Sequence, residues 1–125
     1  MGNRITITIT DLALEALLND SPIAAALLTQ LPCEVRMSRW GDEYYGSCGV
    51  GMDNDAETKE EVEVGTLAYW PTGDALCLFF GPTPMSSGSK PRAASAVSVI
   101  GSLTSGDLDS LRGLGSSVTA RIQRM

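Results

Sequence analysis

The chain has 125 residues, 43% of them hydrophobic and 19% charged, with a net charge of −6 at pH 7. That length fits one domain, residues 1–125, with a single core, and the composition excludes a disordered chain. The acidic balance repels a phosphate backbone, so nucleic acid is not an expected partner.

At the N-terminus, MGNRITITIT lacks both the basic region and the apolar stretch of a secretion signal. No apolar run approaches the roughly 18 residues of a membrane span. The expectation is a soluble, cytoplasmic protein with no membrane partner. Gly2 with Thr6 loosely fits the N-myristoylation pattern, which is short and easily matched by chance. Arg4 to Thr10 alternates Ile5, Ile7 and Ile9 with threonines, a half-buried strand. Leu12 to Leu18 has a helical composition but also alternates, and it is assigned as a second strand because a strong helix start follows it. In Asn19-Asp20-Ser21-Pro22, Ser21 can cap free amides while Pro22 takes the first helical position. The helix runs from Pro22 to about Leu31, with Ile23, Leu27, Leu28 and Leu31 on one stripe, and Pro32 ends it.

Cys33, Val35 and Met37 alternate with Glu34, Arg36 and Ser38, giving a strand that leads into RWGDEYYG. Gly46, Gly49 and Gly51 mark bends or bulges. Residues 53–61 form a polar loop. Val62, Val64, Leu67 and Tyr69 start a strand pair that turns at Pro71 to Asp74 into a buried strand, Ala75 to Phe80. Residues 86–92 form a surface loop, and Ser95 to Leu103 is another strand. Asp107 to Leu111 makes one short helical turn, and Val118, Ala120 and Ile122 lie on a final strand. The sum is a mainly β chain: a closed or nearly closed barrel of about eight strands, one main helix and one short helical turn.

Three cysteines, Cys33, Cys48 and Cys77, form no CxxC pair and the chain has no histidine. A Cys/His zinc site is excluded on that basis, and no metal or cofactor is expected. Cys77, inside ALCLFF, has the setting of a small, reduced core hydrophobe. Ser86, Ser87 and Ser89 lack the histidine of a serine hydrolase. Asp42 and Glu43 are adjacent and point apart on a strand, so they form no acid/base dyad.

The order of segments is specific. A capped helix ending in Leu31-Pro32 is followed by SRWGDEYYG, EVEVGTLAYWPTGDALCLFFGPTPMS and ASAVSVIGSL, a pattern that resembles the small prokaryotic cyclophilin-like proteins across nearly the whole chain. The resemblance implies a single-domain cyclophilin-like β-barrel. True cyclophilins are peptidyl-prolyl isomerases whose site combines an arginine on the strand after the first helix, a phenylalanine-rich pocket, a tryptophan and a histidine. This chain offers Arg39, with Arg36 in reserve, and Phe79 and Phe80. It lacks the histidine and the Phe-Met-x-Gln run that follows the arginine in cyclophilins.

Prolyl isomerisation needs neither nucleophile nor metal. An apolar pocket seats the proline ring, and an arginine that favours the twisted amide lowers the barrier. Arg39 opens RWGDEYYG and takes that role if the activity exists; its alternative is an ion pair with Asp42 or Glu43. Arg36 and Arg39 have opposite strand parity, so only one points inward. Trp40, Glu43, Tyr44 and Tyr45 are candidate groove residues, with the two tyrosines on opposite faces. Tyr69 and Trp70 precede Pro71, and packing of the turn accounts for them. Leu76, Leu78 and Phe80 share one face, and Ala75, Cys77 and Phe79 the other. Pro82, Pro84 and Met85 offer a rigid pocket edge. Three functions fit these residues: a binding module whose small aromatic-lined pocket takes a peptide or small metabolite, a weak or specialised prolyl isomerase, and an assembly subunit that forms a homo-oligomer.

Overall fold

The computed structural model describes residues 3–55 and 57–125, so the Gly2 of the myristoylation pattern lies outside the described residues. Nine strands follow in chain order: β1 (Arg4–Ile9), β2 (Leu12–Leu18), β3 (Cys33–Arg39), β4 (Glu43–Ser47), β5 (Lys59–Glu61), β6 (Thr66–Trp70), β7 (Ala75–Phe79), β8 (Arg92–Ser105) and β9 (Ser117–Arg124). Helix α1 (Pro22–Gln30) joins β2 to β3, and α2 (Leu108–Arg112) joins β8 to β9. A 3-10 turn at Pro71–Gly73 links β6 to β7 and ends on Asp74 in the left-handed conformation.

All ladders are antiparallel, and eight strands close a ring in the order β2-β1-β9-β3-β4-β7-β6-β8, with β8 pairing back onto β2. This is the closed barrel that the alternating sequence predicted. β5 stands outside the ring and pairs only with the first part of β8. Closing the ring removes the open edges that a sheet of this length would otherwise expose.

The barrel interior follows from the period of two. Ile5, Ile7 and Ile9 of β1, Val35 and Met37 of β3, Leu76 and Leu78 of β7, and Ala120 and Ile122 of β9 all enter one core. Each large apolar side chain buried there contributes about 1.5–3 kcal/mol. Helix α1 lies at one end of the barrel and sends Ile23, Ala24, Leu27 and Leu28 into this core. Its start is the predicted one: Ser21 Oγ accepts from the Ala24 amide at 3.2 Å, and Pro22 opens the helix. Helix α2 lies at the opposite end, where Asp107 caps it and Leu111 is buried.

A second apolar cluster packs against the outside of the wall formed by β6 and β7. Ala68, Ala75, Cys77 and Phe79 point away from the barrel and meet Val62, Ala93 and Val97. Every residue of β7 is therefore buried, alternately inside and outside the ring.

Three boundaries differ from the sequence expectation. Val62 and Val64 do not begin β6, because the chain turns at Gly65, where φ is +93°, and β6 starts at Thr66. The polar loop at 53–61 ends in the short strand β5. β8 runs for 14 residues, beginning at Arg92 within the expected loop, because its first part pairs with β5 before it enters the barrel.

Gly46 of β4 lies against β3 so closely that an added Cβ would stand 2.0 Å from the Arg36 carbonyl oxygen. Gly46→Ala is predicted to destabilise the protein by about 3 kcal/mol or more. Gly115→Ala, which meets open space, should change stability by less than about 0.5 kcal/mol. Thermal unfolding of the two variants followed by circular dichroism measures both.

Candidate functional site

The sequence-predicted residues separate into two groups on opposite sides of the β4–β7 wall. In β4, Tyr44 faces into the barrel while Glu43 and Tyr45 face outward, as the strand alternation requires. In β7 the same division places Leu76 and Leu78 inside and Cys77 and Phe79 outside, with Phe80 continuing the inner set.

The inner group closes the α2 end of the barrel. Tyr44 stacks on Phe80 with ring centroids 5.5 Å apart, and its hydroxyl donates to the Gly115 carbonyl at 2.6 Å. Arg39 lies over both rings, its Cζ 5.3 Å from the Phe80 centroid and 5.8 Å from that of Tyr44. Arg39 Nε donates to the Gly41 carbonyl at 2.8 Å, Nη1 to those of Arg112 and Leu114 at 2.9 and 3.0 Å, and Nη2 to Asp42 Oδ1 at 3.0 Å. Asp42 also receives Arg112 Nε at 3.3 Å, while Arg112 Nη2 reaches the Phe80 carbonyl at 3.0 Å. Asp42, not Glu43, is thus the ion-pair partner of Arg39. Arg36 points out of the barrel and is exposed.

The outer group surrounds a cavity of about 190 Å³. Trp40, Glu43, Tyr45, Trp70 and Cys77 form its wall on the barrel side. Ala93, Ala94 and Val97 of β8 face them. The Tyr45 and Trp70 rings meet edge to face, with centroids 6.2 Å apart at 88°. Trp70 Nε1 donates to Ser95 Oγ at 2.6 Å, which fixes the indole between the 3-10 turn and β8.

Glu43 is 5% exposed. Among the described residues, no nitrogen or oxygen donor reaches its carboxyl and it has no basic partner. Burial in this apolar setting pushes its pKa up to about 7, against a smaller lowering by the Cys77 thiol. Burial also raises Cys77 well above the ordinary thiol range, and the neighbouring Glu43 adds to the effect. A carboxyl held near neutrality can give or take a proton, or accept a charged partner, within the physiological range.

The cavity brings together three expected residues, Trp40, Glu43 and Tyr45. Tyr44 and Phe80 belong to the barrel interior, and Phe79 fills the outer cluster without lining the cavity. Pro84 and Met85 are exposed and also lie off the cavity, in a loop that packs closely against Gly41, where φ is +60°. Trp70, Cys77 and the β8 residues are lining groups that sequence reasoning assigned elsewhere. Strand parity relates Cys77 to Tyr45, but no sequence signal brings Ala93 and Val97 across from them. At the α1 end, Tyr69 donates to Asp74 Oδ1 at 2.6 Å and receives the Met52 amide at 3.1 Å, tying the 48–52 segment to the turn. Burial and the Asp74 hydrogen bond push Tyr69 up to about 12. Among the described residues, no group of three or more metal-ligating side chains occurs and no helix is long and apolar enough to cross a membrane.

A closed eight-stranded barrel, capped by one helix between its second and third strands, defines the protein as cyclophilin-like in architecture. Over residues 3–122 the sequence matches the Cyclophilin-like family, and the chain belongs to it. Among solved structures it is similar to hypothetical protein AF2241 from Archaeoglobus fulgidus, known from its solution structure, with 34% identity and a TM-score of 0.83. That match covers 99% of this chain and 95% of the archaeal one. No curated protein matches the sequence.

Two outcomes follow from the site. Arg39→Ala removes four framework hydrogen bonds and a stacked cation, and should destabilise the protein by about 2–4 kcal/mol, with Arg39→Lys recovering little of it. The unfolded Glu43 carboxyl titrates near its ordinary 4.5 and the folded one near 7. The folded protein therefore holds an extra proton between those values, and stability falls as pH rises through that window. Glu43→Gln should raise stability at pH 8 by on the order of 2 kcal/mol and have little effect at pH 4. Urea unfolding at the two pH values measures the difference.

Proposed function

We propose that the protein is a cyclophilin-like binding module that takes a small metabolite, or one side chain of a peptide, into the cavity around Glu43. The observation that carries this reading is a buried carboxyl lining a cavity with no basic partner and only the weakly donating Cys77 thiol beside it. A polar group so placed costs stability, and a structure that keeps it has a use for it at the moment of binding. The three aromatic side chains supply area and fix orientation, while the carboxyl supplies polarity.

The binding reading stands ahead of prolyl isomerisation because of Arg39. Four of its five N–H donors are spent on three carbonyls and a carboxylate, and its face lies over two rings, so Arg39 is held as part of the barrel end. Phe80, the inner of the two phenylalanines, is fully buried beneath it. The cavity lies on the other side of the wall from both. In this reading neither a nucleic acid nor a membrane is the partner, and the ligand needs no metal.

Amide-resolved NMR titration with a short Xaa-Pro peptide and with a library of small polar fragments tests the proposal. Ligand shifts should cluster on Trp40, Glu43, Tyr45, Trp70 and the start of β8, without accelerated cis–trans exchange of the peptide. Ala94→Phe, placed at the exposed rim, should abolish the shifts and leave the melting temperature within about 2 °C. Exchange acceleration lost in Arg39→Lys would replace this reading with the isomerase.

A further inference from the structure

The binding reading leaves the chemistry of the ligand open, and the cavity wall narrows it. Its one carboxyl is Glu43, and among the described residues no lysine or arginine lines it. The nearest guanidinium in sequence, that of Arg39, is held at the barrel end by Asp42 and main-chain carbonyls. Trp40, Tyr45 and Trp70 complete the wall, and the Tyr45 and Trp70 rings form a right-angled corner. Opposite stand only Ala93, Ala94 and Val97, which offer neither donor nor charge.

An anion would meet the Glu43 carboxylate and the negative faces of the rings with nothing to neutralise it. A neutral acceptor can take a hydrogen bond from the Tyr45 hydroxyl or the Trp40 indole, but it leaves the charge of the Glu43 carboxylate uncompensated. A cation meets every feature at once: it pairs with a carboxylate that lacks a charged partner, and its alkyl groups lie against aromatic faces, whose quadrupoles attract positive charge. A volume of about 190 Å³ holds about six water-sized groups, the size of a small alkylammonium head.

Resting on the binding reading above, we propose that the cavity selects a small organic cation, a substituted ammonium group carried by a metabolite or a peptide side chain, with Glu43 as its counter-ion and Trp40, Tyr45 and Trp70 as its aromatic wall.

Charge selection makes binding depend on pH in a definite direction. The groups facing Glu43 are the Cys77 thiol from β7, which stays protonated, the Tyr45 phenol from β4, and the apolar or indole side chains of Trp40, Trp70 and β8. Glu43 is then the one group whose charge changes near neutrality. With its pKa about 7, the ionised fraction, and with it the apparent affinity, rises about tenfold from pH 6 to pH 8.

Choline and its uncharged isostere 3,3-dimethylbutan-1-ol are suitable probes, because they share a shape and differ in charge. The chain's two tryptophans, Trp40 and Trp70, both line the cavity, so intrinsic fluorescence reports occupancy directly, with calorimetry as an independent measure. At pH 8, choline should bind at least about tenfold more tightly than the alcohol. Its affinity should fall about tenfold at pH 6, and Glu43→Gln, an isosteric change, should erase the pH dependence and most of the preference, leaving only the part that the rings supply. Ala94→Phe should block both probes. Alcohol binding as tight as choline, or choline binding that strengthens as pH falls, overturns the cation inference while leaving the cavity a binding site. Silence from both probes at on the order of 100 mM also overturns it, and the fragment titration then decides separately whether the cavity binds anything.

Discussion

The whole arrangement depends on the period-two alternation of one strand pair, β4 and β7, with apolar matter on both sides of it. A sheet wall usually faces a core on one side and water on the other. Here residues 43–47 and 75–79 serve two packed regions at once. Leu76, Leu78 and Tyr44 anchor the barrel, while Cys77, Phe79 and Tyr45 anchor the outer cluster. A slip of one residue in the β4–β7 register would exchange the two sets, bringing Glu43 into the barrel and Tyr44 out of it. The site is therefore specified by the same constraint that specifies the core.

The two sides of that wall use charge differently. Inside, Arg39 and Arg112 converge on Asp42 and on main-chain oxygens that no regular ladder satisfies. Charge there completes the backbone's hydrogen bonding at an irregular barrel end. Outside, Glu43 has no such partner. Two neighbouring carboxylates thus have opposite settings, one saturated and one waiting, because Asp42 belongs to the bend after Gly41 while Glu43 opens β4 on its outer face.

Much of the fold was legible in the sequence, since it is written in local terms. The isoleucine alternation of β1, the Ser21-Pro22 helix start and the opposed faces of Phe79 and Phe80 each need only a few consecutive residues. The second strand at Leu12–Leu18 was decided by the helix start that follows it. The site was less legible. Trp40, Glu43 and Tyr45 lie close in the chain and could be grouped, but the cavity exists only because β8 passes over them from about 50 positions away, and no local pattern encodes that approach. Trp70 had a sufficient local explanation in its turn, which the structure upholds, as its ring packs on Gly73. Its second role is visible only in three dimensions. Pro84 and Met85 looked like a pocket rim because they follow a buried strand. Their loop instead packs beside Gly41 with Pro84 and Met85 exposed, a contact that no local pattern encodes.

The length of β8 has a mechanical meaning. One uninterrupted strand carries Ala93 and Val97 over the cavity and, a few residues later, Gly101 into the seam where the barrel closes, with an added Cβ there only 2.5 Å from the Leu17 carbonyl oxygen. Between the two lies the register irregularity opposite Leu67 and Ala68, where Ile100 is the extra residue between Val99 and Gly101. The same strand thus borders the cavity at one end and closes the ring at the other.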